Sequence, residues 1–165
     1  MEPWRRFDSA PAPEARVLLE ACCGSARWVD AMLARRPFGS REALVTAARD
    51  IWFALEPSDW REAFSHHPRI GDLTALRSRF ETTRHLAARE QSGVSTASDE
   101  VLAALAEGNR RYEDTFGYTF IVCATGRSAE EMLALLTARL GNDPDTELRI
   151  AASEQAKITE IRLVG

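Results

Sequence analysis

Apolar residues recur every three or four positions along most of this chain, which is the spacing of a helix that buries one face. A proline or glycine separates most of these segments, as expected at helix ends. The pattern predicts eight helices, or nine if the fifth segment is a helix pair, over residues 13–21, 26–35, 41–55, 59–64, 73–91, 99–115, 129–140 and 145–163. The first 12 residues are spaced by prolines, and we predict an irregular arm there.

Serine residues mark the predicted helix starts. Ser25, Ser40 and Ser58 each precede a helical segment and are suited to accept the free amide hydrogens of its first turn. Ser128 and Glu131 form the sequence pattern of a capping box. For the first helix we expect a buried side, which is formed by Val17, Leu18 and Ala21.

One stretch departs from the helical pattern. Residues 116–124 are rich in aromatic and β-branched side chains, which favour extended backbone. Outside this stretch, the N-terminal arm and the short connections, the chain is predicted to be helical, with no internal repeat and no low-complexity segment. The sequence therefore predicts an all-α, single-domain bundle of about eight helices that spans residues 1–165.

The composition narrows the classes of partner. The 165 residues suit one domain, and the formal net charge of −4 disfavours a nucleic-acid binder, which would carry a basic face. No apolar run approaches the roughly 20 residues that cross a bilayer, and the start lacks the apolar core of a secretory signal. Three cysteines form no metal or disulfide framework. We expect a cytoplasmic protein without a membrane partner.

The strongest chemical signal is a histidine at a bend between two helical segments. Pro68 biases His67 toward extended backbone, and Gly71-Asp72 permits a tight turn just after it. A histidine fixed in this way suits acid–base chemistry, although a buried structural histidine is the alternative. His66 is expected at the surface, and His85 is expected to be structural or exposed.

Other residues could act with His67. Glu90 lies near a helix C-terminus, where an anion is disfavoured, and could face His67, orient its ring and raise its pKa. Arg162 either interacts with the end of its own helix or grips a substrate carboxylate. The run from Phe120 to Ala124 is either core or a stretch of backbone that meets a ligand. A metal site built from His67, Asp72, His85 and Glu90 matches no known spacing, so we predict no metal.

Several segments together resemble one enzyme family. In order along the chain they are Cys22-Cys23-Gly24-Ser25 with Trp28, Arg36-Pro37-Phe38, Trp60-Arg61-Glu62-Ala63-Phe64, His66-His67-Pro68-Arg69-Ile70-Gly71-Asp72, Glu90-Gln91-Ser92-Gly93, Asn109 with Tyr112, Phe116-Gly117-Tyr118-Thr119-Phe120-Ile121-Val122, Arg139, Glu147 and Ile158-Thr159-Glu160-Ile161-Arg162-Leu163. This set is similar to 2-oxo-4-hydroxy-4-carboxy-5-ureidoimidazoline (OHCU) decarboxylase, the last enzyme of the route from urate to (S)-allantoin. The resemblance covers nearly the whole chain.

The resemblance implies an all-helical homodimer that needs no cofactor and binds a small ureidoimidazoline substrate. It implies that His67 is the catalytic acid, Glu90 its carboxylate partner and Arg162 a cation that grips the substrate. It further implies that the substrate pocket is lined, largely through backbone groups, by Pro68, Ala87, Ala88, Arg89, Gln91, Phe120, Ile121, Val122, Cys123 and Ala124. Position 87 departs from the family, which commonly has a serine there.

Two other functions remain open from the sequence. A non-catalytic scaffold or ligand-binding member of the same fold would keep the helices, and Ala87 weakly favours it. A metal-dependent hydrolase acting on a ureide ring would need a metal, so that activity after chelation separates it from a decarboxylase. Intact His67, Glu90 and Arg162 favour the enzyme.

Overall fold

A computed structural model describes residues 2–68 and 99–165 of the chain. Within these residues the chain forms α-helices and no strand, which confirms the predicted all-α class. The helices are α1 (Pro3–Ser9), α2 (Ala12–Cys22), α3 (Ala26–Arg35), α4 (Arg41–Phe53), α5 (Pro57–Ser65), α6 (Asp99–Phe116), α7 (Ala129–Arg139) and α8 (Pro144–Val164). The predicted helix over 73–91 lies outside the described residues.

The chain divides into two compact units. The first comprises Met1–His67 and Leu148–Gly165, and the second comprises Pro68–Glu147. The first unit therefore contains α1 to α5 with most of α8. The second contains α6, α7 and the non-helical run between them.

In the first unit, α3 lies between α2, α4 and α5, and α1 packs on α2 and α4. Trp28 and Met32 on α3 are fully buried, as are Phe7, Leu19 and Leu44 on its neighbours. The two buried indoles also donate hydrogen bonds across the core. Trp28 Nε1 reaches the carbonyl of Ala48 at 3.1 Å, and Trp52 Nε1 on α4 reaches that of Ala152 on α8 at 2.9 Å. These bonds satisfy the polar end of each side chain inside an apolar core.

Three of the four predicted serine caps are present. The hydroxyls of Ser25, Ser40 and Ser128 each accept a hydrogen bond from the amide three residues further on. The predicted cap at Ser58 is wrong. Helix α5 begins two residues earlier than predicted, with Glu56 as its N-cap and Pro57 in its first position, where a missing amide hydrogen costs nothing.

Two predictions at the N-terminus are wrong. The predicted irregular arm over residues 1–12 is wrong, because Pro3 begins the short helix α1 and the side chain of Phe7 on this helix is buried. Helix α2 buries Ala15, Leu19 and Cys22 instead of the predicted face. On that predicted face Val17 is 64% exposed, Leu18 is half-buried and Ala21 is exposed.

In the second unit, α6 and α7 pack against each other, and residues 117–128 between them contain no helix, which confirms the predicted break. Leu102, Leu105 and Tyr112 on α6 are buried, together with Met132 and Leu136 on α7. None of the described helices has the length and apolarity to cross a membrane.

Candidate active site

His67 lies just past the end of α5, and that end is fixed against α4. The indole of Trp60 donates to the carbonyl of Trp52 at 2.9 Å, and Phe64 is fully buried with its ring edge-on to the Trp52 indole. The amide of His67 then closes the helix by donating to the carbonyl of Phe64 at 3.1 Å. Pro68 follows and cannot continue a helical hydrogen-bond ladder. The local sequence therefore places a half-buried imidazole on a defined turn.

The described partner of that imidazole is a buried amide. His67 Nε2 is hydrogen-bonded to Oε1 of Gln155 on α8, a residue that is only 1% exposed. Gln155 Nε2 in turn donates to the hydroxyl of Thr159 at 2.9 Å, and this hydroxyl lies 3.4 Å from the carbonyl oxygen of Cys22. Gln155 and Thr159 are one helical turn apart, so they share a face of α8.

The direction of this chain of hydrogen bonds follows from its last member. A carbonyl oxygen only accepts, so the Thr159 hydroxyl donates to Cys22 and accepts from the Gln155 amide nitrogen. The amide oxygen of Gln155 then faces His67 Nε2. An amide oxygen only accepts, so this orientation suits a neutral imidazole that carries its proton on Nε2.

Arg162 lies on the same side of α8. Its Nη1 is 3.4 Å from the carbonyl oxygen of Cys22, the last residue of α2, and Arg6 donates to its own carbonyl at 3.1 Å. The guanidinium thus contributes to a helix terminus, which was one of its two predicted roles, but the terminus belongs to α2 and not to its own helix. The side chain remains largely exposed and charged.

Burial sets the proton equilibrium at His67. Removal of the ring from water lowers its pKa, the hydrogen bond to Gln155 opposes this, and the positive charge of Arg162 lowers it further, as does neighbouring His66. The sequence-based expectation was a pKa raised by Glu90, which lies outside the described residues. Around neutral pH the lowered pKa leaves His67 uncharged.

Two cysteines lie beside this cluster, and both are buried. Burial raises the pKa of the Cys22 thiol, and it raises the pKa of Cys23 to about 12. Both side chains are therefore neutral thiols at physiological pH. A cysteine nucleophile needs the opposite shift.

In the second unit, the run from Phe120 to Ala124 is held by buried polar side chains. Asn109 Oδ1 accepts from the amide of Phe120 at 2.9 Å and from the hydroxyl of Thr119 at 3.1 Å. Arg139 Nη1 donates to the carbonyl of Ile121 at 2.7 Å. The side chains of residues 120–122 are buried and those of Cys123 and Ala124 are half-buried. The side chains of the first three residues therefore belong to the core.

The guanidinium that holds this run is itself paired. Arg139 Nε donates to Glu147 Oε2 at 2.8 Å, and the Tyr112 hydroxyl donates to the same oxygen. The other carboxylate oxygen accepts from Asn142 Nδ2 at 3.1 Å. Glu147 is completely buried, so all of its charge is balanced inside the protein.

The remaining predicted residues cannot be placed. Ala87, Ala88, Arg89, Glu90 and Gln91 lie outside the described residues, as do Asp72 and His85. Across residues 2–68 and 99–165, no three His, Cys, Asp or Glu side chains come together as a metal site would require. The structure does bring His67 to Gln155 and Thr159, and it places Arg162 at the same Cys22 carbonyl as Thr159.

The sequence analysis missed Gln155, and it noticed Thr159 only as part of a motif. A usable signal was present in α8. Gln155, Thr159 and Arg162 are spaced by four and three residues, so they form a polar stripe on one helix face. Gln155 and Thr159 are nonetheless buried, and a buried polar stripe requires partners.

A helical protein with an imidazole at the end of a helix, held by a buried amide, is suited to proton transfer. Comparison with known proteins identifies the family. The model of the family described as OHCU decarboxylase matches residues 8–164, and the chain belongs to that family.

Characterised relatives differ in length. The chain is 43% identical over 145 residues to the uric acid degradation bifunctional protein TTL of Arabidopsis thaliana. The aligned region covers 87% of this chain but only 44% of that protein. It is 27% identical to the 2-oxo-4-hydroxy-4-carboxy-5-ureidoimidazoline decarboxylase of Amia calva, covering 78% of this chain and 73% of that protein. The chain thus spans less than half of the plant bifunctional protein.

Solved structures agree with the fold. A crystal structure of OHCU decarboxylase in the presence of (S)-allantoin superposes with a TM-score of 0.72 at 40% identity, over 87% of this chain and 92% of that one. A crystal structure of (S)-allantoin synthase gives a TM-score of 0.71 at 21% identity, over 97% of this chain and 52% of that one. The second likeness concerns the fold alone.

Proposed function

We propose that this chain is a carboxy-lyase that converts OHCU to (S)-allantoin in urate degradation, a branch of purine metabolism. Membership of the family over residues 8–164 carries this proposal. The similarity to a decarboxylase crystallised in the presence of (S)-allantoin supports the choice of product. The arrangement around His67 supports a reaction based on proton transfer.

The substrate supplies its own electron sink. The carbon that bears the carboxylate also bears a hydroxyl, and it neighbours a ring C=N bond. When the bond to CO2 breaks, its electron pair forms a C=C bond in the ring and the C=N electrons move to nitrogen. We therefore propose that the reaction uses no cofactor, since a cofactor such as pyridoxal phosphate would serve only to accept these electrons.

Proton accounting assigns a role to His67. After CO2 leaves, the hydroxyl loses a proton as its carbon becomes a carbonyl, while the neighbouring carbon and the ring nitrogen each gain one. The net uptake is one proton, which replaces CO2. We propose that neutral His67 takes the hydroxyl proton at Nδ1 and returns it to the carbon, and that solvent supplies the proton on nitrogen. Delivery to one face of the ring sets the handedness of the product.

The lowered pKa of His67 supports this order of events. An uncharged imidazole is ready to receive a proton, whereas a resident acid would have to be charged before substrate arrives. His67 is then the proton donor to carbon, but in the second step and not from the resting state. The imidazolium formed in between has a proton on Nδ1, and we propose that the carboxylate of Glu90 stabilises it.

We propose that Arg162 binds the substrate away from the departing carboxylate. A guanidinium that held the carboxylate in the ground state would oppose its conversion to uncharged CO2. The ureido oxygen is a better partner, since its charge does not change as CO2 leaves. By the family resemblance, Pro68, the residues from Ala87 to Gln91 and those from Phe120 to Ala124 contact the substrate.

Turnover of freshly generated substrate tests the role of His67. Circular dichroism follows (S)-allantoin, and His67→Ala should lower the rate by about 100-fold or more, the usual contribution of a positioned acid–base group. Glu90→Ala should cost less if it only stabilises the imidazolium. Ser153→Ala, an exposed change on α8, serves as the control for handling. A wild-type rate in His67→Ala would remove the proposed relay, and no turnover by the unchanged protein would favour the non-catalytic reading.

We also propose, from the family resemblance, a cytoplasmic homodimer whose two units form a single domain. Apolar residues on the helices that carry Trp28 and Trp52 could supply a dimer interface, yet both indoles are buried within this chain. Among the described residues, the large apolar side chains that are exposed are Val17, Phe53 and Ile161. Sedimentation of the purified protein measures the subunit number, and a single unfolding transition seen by several probes would support one domain.

A further inference from the structure

We propose that Gln155 and Thr159 are positioning residues that hold His67 in the Nε2-protonated tautomer and leave Nδ1 to serve the substrate. The inference rests on the proposed function for its catalytic consequence, but the tautomer itself is a property of the protein alone. It depends on three observations: the burial of both side chains, the hydrogen bonds between them, and the carbonyl at which the chain of bonds ends.

The carbonyl of Cys22 gives the chain of bonds its direction. A glutamine amide presents either its oxygen or its nitrogen with little difference in shape, so it does not by itself select a tautomer of the histidine it meets. Here the Thr159 hydroxyl fixes the choice, because its other neighbours are the carbonyl of Cys22, which only accepts, and the thiol of Cys23. Its single hydrogen is directed toward these two groups, so its oxygen accepts from Gln155 Nε2. The tautomer of His67 is therefore determined by Thr159, which lies two hydrogen bonds away from the ring.

Burial makes the choice decisive. Gln155 is 1% exposed and Thr159 is 5% exposed, so water is not freely available to replace a lost partner. If the amide of Gln155 were reversed, its oxygen would face the Thr159 hydroxyl and its NH2 group would face His67 Nε2. The hydroxyl would then have to donate both to Gln155 and to the carbonyl of Cys22, although it has only one hydrogen. One buried polar group would then lose its hydrogen bond, which costs about 1–3 kcal/mol.

Consequently, the two ring nitrogens have different tasks. Nε2 is held by Gln155 throughout, while Nδ1 exchanges a proton with the substrate. A resting pairing of Glu90 with His67 would need a proton on Nδ1 as well, and so would require a charged ring before the reaction. The two arrangements thus differ in the protonation of one nitrogen atom.

Nitrogen-15 NMR of the histidine rings distinguishes them without substrate. The chain has three histidines, and a spectrum of His67→Asn identifies the signals of residue 67 by their loss. In the unchanged protein near pH 7.5 we expect Nε2 to resonate as a protonated nitrogen and Nδ1 as an unprotonated one. Protonated signals at both nitrogens, or at Nδ1 alone, would overturn the proposal.

A matched pair of variants at Thr159 tests the positioning role. Thr159→Val keeps the shape but removes the hydroxyl, so the Gln155 amide is free to turn and the Nδ1-protonated tautomer should become populated. With the two tautomers near equal, kcat should fall by at least about twofold while KM stays near its original value. Thr159→Ser keeps the hydroxyl and should restore both the spectrum and kcat. Unchanged ring signals in Thr159→Val would overturn the proposal.

Gln155 itself provides a second, independent test. Gln155→Leu removes the acceptor and should lower the pKa of His67, since this hydrogen bond raises it, whereas Gln155→Glu should raise that pKa. Arg162 and His66 also act on the ring, and the buried thiols of Cys22 and Cys23 lie near Thr159, but none of these changes between the variants. NMR titration of His67 reads the shift directly, and thermal unfolding confirms that each variant is folded. Equal pKa values in the two variants would overturn the role of Gln155.

The two proposals fail separately. If the NMR results are as expected but neither the unchanged protein nor any variant converts OHCU, the control of the His67 tautomer is supported and the proposed enzyme function is contradicted. If turnover is normal but the Thr159 variants share one tautomer and one kcat, the function stands and the positioning role does not.

Discussion

At the scale of single residues, the protonation of His67 depends on two opposing effects, burial and a hydrogen bond to Gln155. Burial is the larger, so the folded pKa lies below its ordinary value of 6.5. Neutral His67 accepts a proton in the proposed reaction, and protonation of the resting ring blocks this step. The rate should therefore be constant near neutral pH and fall as the pH drops through the lowered pKa.

Measurement of kcat/KM against pH, with the uncatalysed rate subtracted at each point, gives the pKa of the free enzyme. Gln155→Glu should move the acidic limb to higher pH. The same shift affects folding: the contribution of His67 to stability is present above the unfolded pKa and is lost as the pH falls through the lowered folded value. A rate that rises on acidification would instead indicate a resident acid.

A second residue-scale prediction concerns Gly24. A methyl group built there would lie 2.6 Å from Cγ and 2.9 Å from Cβ of His66, so rotation of the His66 side chain does not relieve the overlap. Backbone next to His67 must move instead. Gly24→Ala should destabilise the protein by about 1–3 kcal/mol, as overpacking usually does, and should lower kcat.

The control for Gly24 is Gly141→Ala. A methyl group at that glycine has its nearest neighbour at 3.7 Å, an ordinary contact. Thermal unfolding and turnover of the two variants should differ clearly. If both behave like the unchanged protein, the approach of His66 to Gly24 has no part in positioning His67.

Sequence reasoning found some of these residues and missed others for a physical reason. The bend at His67 is encoded locally, by the proline that follows it. Its partner Gln155 is 88 positions away, and no periodicity in the sequence joins them. Gly24 was noted only within the segment Cys22-Cys23-Gly24-Ser25, because its contact with His66 depends on how α5 packs on α3.

At the scale of helices and loops, the buried cluster of Arg139, Glu147 and Tyr112 determines the shape of the run from Phe120 to Ala124. Arg139 connects the two, since it binds Glu147 and the carbonyl of Ile121. Glu147→Ala should leave the guanidinium buried without a counter-charge. Breaking a buried pair in this way costs about 3–5 kcal/mol.

Chemical denaturation measures this loss of unfolding free energy. Glu130→Ala, an exposed carboxylate on α7, should change it by no more than about 0.5 kcal/mol. Hydrogen exchange of the amide of Phe120 should also become faster in Glu147→Ala, because its surroundings lose their anchor. A cost within the range of the control would mean that the cluster does not support this run.

Helix starts were predicted well at Ser25, Ser40 and Ser128, each of which caps its helix, but not at Ser58, because Pro57 takes the first helical position there. The buried face was predicted poorly where the apolar pattern is ambiguous. Helix α2 has apolar residues on two faces, so the sequence does not show which one is buried, and the wrong one was chosen. Proline spacing in residues 1–12 indicated a loop. Yet proline is also favoured in the first turn of a helix, where Pro3 lies.

At the scale of the whole molecule, the proposed chemistry has to be separated from that of a metal-dependent hydrolase acting on the same kind of ring. The two reactions differ in the group that makes them possible. A hydrolase would employ a metal to activate water, whereas the decarboxylase relies on the ring C=N bond to accept electrons. They also give different products, because only the decarboxylase releases CO2.

Turnover with and without a chelator, followed by release of CO2 and by circular dichroism, tests this difference. We expect both rates and the excess of (S)-allantoin to be unchanged by chelation. His67→Ala provides the contrast, because loss of the proton relay should lower both the rate and the excess of (S)-allantoin. Any product that still forms would come from spontaneous decay, which has no preference for one face of the ring. Loss of activity on chelation that returns with added metal would replace the proposed mechanism with a metal-dependent one.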